Sequence, residues 1–229
     1  MRSIIKEGRR FIIDHSYLEA NGRLRTYFHH GKPLRCRKGE IILGSGDIPT
    51  GVYYIERGLV KVYSISKRGE EYVHLIYKPG EIFPLIWALK NVLHDVFYES
   101  LTSSLLWQVP KDDFIKFIKK DPVAAYSLTG LLAEQFSVHV DRLDNLEYRH
   151  AQERVVYRLL TLAKRFGKYK DSRVVIEGPF THQVIADSIN LTRESVSREI
   201  ERLEAKGLVR YSHRKIIITD INKLSRELD

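Results

Sequence analysis

The hydrophobic pattern of this chain changes period near residue 120, and no single kind of element satisfies both halves. From about 34 to 110 the apolar residues come in short runs, EIIL, VYYIE, LVKVYSI, EYVHLIY, VFYESL and LLWQVP, punctuated by glycine. Gly58, Gly69 and Gly80 recur every eleven residues, and Arg57-Gly58, Arg68-Gly69 and Pro79-Gly80 stand where turns need a glycine or a proline. In LVKVYSI, Leu59, Lys61, Tyr63 and Ile65 point one way and Val60, Val62 and Ser64 the other. Strands at this spacing predict a β-roll, barrel or sandwich.

From Asp121 to Tyr148 the only glycine is Gly130, and no proline follows Pro122. Leu128, Leu132, Phe136, Val140, Leu143 and Leu146 fall at helical spacing and predict one long helix with an apolar stripe. Charged neighbours such as Glu134, Arg142, Asp144 and Glu147 make the stripe resemble a coiled-coil seam, hence a homodimer contact. Packing of the same helix on its own β-roll is compatible with that, because opposite faces can serve two neighbours.

A further amphipathic helix is expected from Ala151 to Phe166, with Gly167 as a left-handed cap. RVVIE over 173–177 reads as a strand. THQVIADSI reads as a helix capped by Thr181, Asn190-Leu191 as a turn, and the next stretch as a helix capped by Thr192 and ended by Gly207. LVRY and KIIIT, joined by Ser212-His213-Arg214, form a hairpin, and a short helix starts at Ile221. Helix, tight turn, helix and hairpin is the order of a winged helix-turn-helix, whose second helix enters the DNA major groove.

Composition narrows the function classes. Of 229 residues, 43% are hydrophobic and 29% charged, and the net charge is +9. The excess is denser after Ala151, with sixteen Lys and Arg against eleven Asp and Glu. A basic balance suits anionic partners. No apolar run is long enough to span a bilayer, and Lys6 and Glu7 interrupt the N-terminal stretch, so a cytoplasmic protein without membrane contact is expected. Cys36 is the single cysteine; it reads as a structural thiol rather than a sensor, and it excludes intramolecular disulfides and multi-cysteine metal sites. No glycine-rich phosphate loop, nucleophile motif or metal-ligand cluster is visible, so no enzyme and no metal site are expected.

On the second helix of the motif, Val196, Ile200 and Leu203 share one face and Arg193, Glu194, Ser197 and Arg198 the other. Arginine can donate twice to guanine and glutamate can accept from cytosine, so this face suits base reading. Thr181, Thr192, Arg210 and Arg214 are candidates for phosphate contacts. The bland alternative is an exposed pair between Glu194 and Arg198, adding about 0.2 to 0.5 kcal/mol of helix stability. A protein-binding module that never touches DNA is the rival function.

GVYYIERGLVKVY, DPVAAYSLTGLLAEQFSVHVDRLDNL and THQVIADSINLTRESVSREIERLEAKGLV together resemble the superfamily of the cyclic-AMP receptor protein and the fumarate and nitrate reduction regulator (Crp/Fnr), over nearly the whole chain. The resemblance implies an α+β protein: a cyclic-nucleotide-binding-like β-roll at 1–120, a dimerisation helix at 121–148, and a winged helix-turn-helix at 149–229. It implies a homodimeric transcription regulator on double-stranded DNA, a two-fold operator with a TGA-like element in each half, and contact with RNA polymerase. Arg193, Glu194 and Arg198 match base-contacting positions of one branch, and Glu194, Ser197 and Arg198 those of the other.

The sensory end departs from the family. Gly80-Glu81 is kept, but His94-Asp95 stands where the cyclic-nucleotide branch has an Arg-Ser pair, and Asp95 would repel the phosphate. His139 and Val140 replace the hydroxyls that meet adenine in that branch. Cyclic AMP is therefore not expected, and a lone Cys36 does not supply an iron–sulfur cluster. Three readings stay open: another small molecule held by Phe83, Trp87, His94, Tyr98 and His139; haem or a metal on His74, His94 and His139; or no effector, with the insert PLIWALKNVL filling the old pocket.

Overall fold

The structure, a computed structural model, describes residues 15–148, 150–212 and 215–228, with side chains from residue 22 onward. The chain divides into two compact units, and the division falls between Val138 and His139, inside the longest helix.

The first unit contains α1 (His15–Phe28), β1 (Lys32–Cys36), β2 (Ile41–Leu43), β3 (Val52–Arg57), β4 (Val60–Ile65), β5 (Glu71–Tyr77), β6 (Ile82–Phe83), α2 (Leu85–Lys90), β7 (Phe97–Ser100), β8 (Ser104–Val109) and α3 (Lys111–Lys120). It is continued by the start of α4 (Pro122–Glu147). Two antiparallel four-stranded sheets form, in the orders β1-β8-β3-β6 and β2-β7-β4-β5. Gly58, Gly69 and Gly80 have φ of 92°, 82° and 90°, the left-handed region their turns require.

Strand β3 shows why VYYI is apolar without alternation. Tyr53 and Ile55 enter the space between the sheets, while Val52 and Tyr54 face a layer of helices that includes Leu24 and Phe28 of α1, Leu85 and Ala88 of α2, and Phe114 of α3. A strand covered on both faces needs apolar residues throughout.

The strand β4 also departs from simple alternation. Val60 and Val62 enter the space between the sheets as expected, but Lys61 is buried too. Its ammonium lies 2.6 Å from Glu71 and 3.2 Å from Glu99, and 4.1 Å from the centre of the Tyr63 ring. Two carboxylates and a ring face compensate a charge that would otherwise be costly to bury.

Helix α4 uses two faces. Ala124, Leu128 and Leu131 are buried in the helical layer, and Leu132 packs against it. Leu128, at 3% exposure, therefore belongs to the unit's own core and not to an open seam, and Leu132 leans the same way. The open stripe instead runs through Tyr126 (63% exposed), Ala133, Phe136 (70%), Val140 and Leu143 (64%), with Leu146 half-buried. The expected stripe starts from Leu128 with three successive steps of four, to Leu132, Phe136 and Val140, before two steps of three. A straight helix turns 100° per residue, so repeated steps of four drift around its surface.

The second unit contains the end of α4, α5 (Ala151–Phe166), β9 (Gly167–Lys170), β10 (Arg173–Glu177), α6 (His182–Ile189), α7 (Arg193–Ala205), β11 (Val209–Ser212), β12 (Lys215–Ile218) and α8 (Ile221–Ser225). Its sheet has the order β11-β12-β10-β9, antiparallel throughout. Helix α5 is central, burying Val155, Val156, Leu159 and Leu162 while packing on α6, α7, α8 and β10. Gly167 does not form the left-handed cap expected of it: its φ is −77° and it opens β9. A Cβ there would stand 2.3 Å from the Ala163 carbonyl oxygen, so close approach requires the glycine.

Phe83 is fully buried between the sheets and stacks on Tyr53 and Tyr98. Replacing it, Phe83→Ala, is expected to cost about 3 to 5 kcal/mol of first-unit stability in denaturant unfolding followed by tyrosine fluorescence.

Candidate nucleic-acid interface

The local sequence sets both helices of the motif. The Thr181 Oγ1 accepts from the Val184 amide at 3.2 Å and opens α6. Asn190 closes it in the left-handed conformation, φ 54° and ψ 50°, which a short amide side chain tolerates. The next residue but one, Thr192, starts α7 by accepting from the Ser195 amide at 3.2 Å. At the far end, the Gly207 amide donates to Glu204 O at 2.8 Å and the Leu208 amide to Leu203 O at 3.0 Å, a Schellman closure.

Val196, Ile200 and Leu203 of α7 are buried, as are Ile185, Ala186 and Ile189 of α6, and the two helices pack together. Arg193, Glu194 and Arg198 are consequently exposed on the other side of α7. Among the described residues, none of their side chains makes a hydrogen bond or ion pair, and Glu194 and Arg198 do not pair although one turn apart. Ser197 differs: it is half-buried and its hydroxyl donates to Glu201 Oε1 at 3.1 Å. Arg202 faces Glu199 at 3.8 Å.

The phosphate candidates divide similarly. Thr181, Thr192 and Arg210 are exposed; both threonine oxygens accept the capping amides, and the Thr192 hydroxyl also lies 2.9 Å from that of Ser195. Arg214 lies outside the described residues.

Sequence reasoning missed the struts around α7. Tyr211 donates its hydroxyl to Phe180 O at 2.9 Å, and its amide donates to Glu204 Oε1 at 2.6 Å, tying β11 to the entry of α6 and to α7. Its ring stands 4.5 Å from that of His182. Burial, and then the charge of Arg193, hold His182 below the ordinary histidine pKa, so it adds no positive charge beside Arg193 at neutral pH. Also missed was β9, whose Lys168 reaches Glu177 at 2.9 Å, as does Lys215 of β12. These two lysines hold the Glu177 carboxyl down at about 2. No hydrophobic run marks β9, which is exposed along most of its length.

Of the residues expected to line an effector pocket, those of the first unit do not converge. Phe83 and Tyr98 stack with ring centres 5.0 Å apart, joined by Tyr53 and Tyr77, and occupy the space between the sheets. Burial pushes the Tyr98 hydroxyl up to about 12. Trp87 belongs to the separate helical layer, with the Lys111 ammonium 4.7 Å from its ring, and His94 is exposed. His139 lies in the second unit. The insert PLIWALKNVL forms α2 on the helical layer and leaves Ile86, Leu89, Val92 and Leu93 exposed, so Phe83 and its aromatic neighbours, not the insert, fill the roll. His74 is 2.9 Å from Ser64 Oγ, and among the described residues no group of three His, Cys, Asp or Glu could hold a metal ion. Cys36 is buried, and burial pushes its thiol up, away from reactivity.

Two family models match the chain: a cyclic nucleotide-binding domain over residues 33–121 and a Crp-like helix-turn-helix domain over residues 153–227. The chain is similar to the anaerobic regulatory protein of Haemophilus influenzae, 25% identical over 88% of this chain and 77% of that protein. It is similar also to the nitrogen fixation regulation protein FixK of Bradyrhizobium diazoefficiens, 26% identical over 86% of this chain and 82% of that one. Among solved structures, FixK2 from Bradyrhizobium japonicum matches with a TM-score of 0.72 at 24% identity, over 86% of this chain and 96% of that one. A CooA variant from Carboxydothermus hydrogenoformans matches at 0.76 and 16%, over 89% and 90%. With a nucleotide-binding-type roll ahead of a Crp-like reading domain, and regulators among its relatives, this chain belongs to the Crp/Fnr superfamily of DNA-binding transcription regulators.

Proposed function

We propose that the protein acts as a homodimer on a two-fold DNA site, with α7 in the major groove of each half, and that it does so without cyclic AMP. The observation that carries the reading is the exposed face of α7, where Arg193, Glu194 and Arg198 stand uncommitted among the described residues, opposite the buried Val196, Ile200 and Leu203. Unpaired guanidinium and carboxylate groups retain the hydrogen-bonding capacity needed at base edges. Ser197 joins them by exchanging its bond to Glu201 for a base. Thr181, Thr192, Arg210 and Arg214 hold phosphates and set the register.

The dimer forms through the open stripe of α4. Tyr126, Ala133 and Val140 recur every seven residues, and Phe136 and Leu143 fall three after Ala133 and Val140, the spacing of a two-helix seam. Such large exposed apolar groups on one helix need a covering surface, and a parallel second copy supplies the same stripe. Two reading heads then address half-sites about 34 Å apart. The protein works in the cytoplasm by binding rather than by catalysis; among the described residues no helix is long and apolar enough to cross a membrane. RNA polymerase is its proposed partner at the promoter.

Independence from cyclic AMP is supported by the roll interior. Aromatic rings of Phe83, Tyr98, Tyr77 and Tyr53 fill it, and His94-Asp95, in place of a phosphate-holding pair, is exposed. Adding cyclic AMP at millimolar concentration is expected to change neither DNA affinity nor melting temperature; a rise in either contradicts this part of the reading.

Selection from a random duplex pool at one stated salt concentration is expected to enrich a two-fold site. Against that site, Arg198→Ala should lose about 1 to 3 kcal/mol with relaxed preference at one base pair, whereas Arg210→Ala should weaken all sequences alike. Equal, sequence-blind losses would remove Arg198 from base readout, and a pool without enrichment would favour a protein-binding module. In sedimentation, Phe136→Asp should shift the dimer to monomer at micromolar concentration while the isolated helical content stays unchanged.

A further inference from the structure

A cluster of positive charge lies where the end of α4 packs antiparallel on α5. The register is fixed by Lys164 Nζ to Asp141 at 3.4 Å, Tyr157 hydroxyl to Asp144 at 3.4 Å, and the Asn145 amide donating to Arg154 O at 2.9 Å. Arg158 and Arg165 stand two turns apart on α5, and His139 and Arg142 share a face of α4 opposite them. All four residues belong to the second unit.

Arg158 is the centre of the cluster. Its Nε is sealed from solvent without a hydrogen-bond acceptor, and its guanidinium forms no ion pair among the described residues. The Arg142 Nε is sealed in the same way, although Arg142 and Arg165 have other partners. Burial, with Arg165 and Arg142 nearby, pulls Arg158 down to about 10; burial and the same two arginines also hold His139 low. The neighbouring carboxylate, Asp141, is already engaged by Lys164. A guanidinium whose Nε is sealed beside like charges without an acceptor is expensive, and nothing in the packing of α5 demands an arginine there: its neighbours Val155, Leu159 and Leu162 supply the core.

We propose that Arg158, with Arg142, Arg165 and His139 around it, is the binding site of a small oxyanion, a molecule bearing a phosphate or carboxylate group. The planar fork of a guanidinium matches either group with paired hydrogen bonds. The ligand neutralises the cluster and clamps α4 to α5, the helix on which α6 and α7 pack. Occupancy thereby reaches the reading helix from a site separate from the roll interior. The anion site stands whether or not the DNA reading of α7 holds.

The test uses the full chain. Its unfolding temperature is followed while sodium phosphate, and separately sodium succinate, replaces sodium chloride at constant ionic strength. One of the two anions should raise it by roughly 5 °C at about a hundred times Kd. The charge-free variant Arg158→Met should lose that increment while melting in chloride at the same temperature or higher. A response to phosphate alone assigns a phosphate-bearing ligand, and a response to succinate alone a carboxylate. No response to either, or an equal increment in Arg158→Met, overturns the proposal. Because a core variant can fail to fold, Arg165→Gln gives a second reading by calorimetry: removing a flanking positive charge should weaken binding about threefold, and unchanged or tighter binding also overturns it.

Discussion

The reading surface depends on the burial of one side of α7. Val196, Ile200 and Leu203 pack inward, against a second unit organised by α5, and this contact fixes the rotation of the helix about its axis. Each such side chain contributes about 1.5 to 3 kcal/mol on burial. A rotation of one residue, 100°, would bury Ser197 and expose Val196, so the free energy that folds the unit also aims Arg193, Glu194 and Arg198 outward. The Thr192 cap and the Gly207 closure fix the two ends, and Tyr211 braces the hairpin against them.

The roll keeps the two-sheet architecture of a binding fold while packing aromatic rings between its sheets. Its two sheets and their glycine turns match a cyclic nucleotide-binding domain, yet Phe83, Tyr98, Tyr77 and Tyr53 interlock where two sheets would otherwise leave space. Aromatic rings at centre distances of 5 to 6 Å fill volume and add favourable edge and stacking interactions. A charged ligand entering there would have to displace this packing and bring its own counter-charge. The charged groups that the second unit does concentrate lie elsewhere, where α4 meets α5.

Helix α4 explains why one sequence stripe serves two purposes. Its first half must cover the first unit, so Leu128, Leu131 and Leu132 turn toward that core; Phe136, Val140 and Leu143 have no such core beneath them. A spacing of four residues advances 40° beyond a full turn. The sequence therefore shows an apolar helix clearly but not the azimuth at which one face gives way to the other, because leucines suit both.

The period change, the glycine turns, the caps Thr181 and Thr192, and the buried triad of α7 were legible in the sequence, because each rests on interactions within a few residues. From them came the α+β organisation, the helix-turn-helix and the outward face of α7. What the sequence left open depended on contacts between residues far apart. Gly167 was fixed by the approach of the Ala163 carbonyl, Lys61 by carboxylates on two neighbouring strands, the roll interior by rings from four strands, and the isolation of Arg158 by α4 lying across it. Local sequence determines which residues can be buried, caps or charged contacts; only the tertiary structure decides which of them meet, because burial and charge compensation are set by neighbours that the chain order does not name.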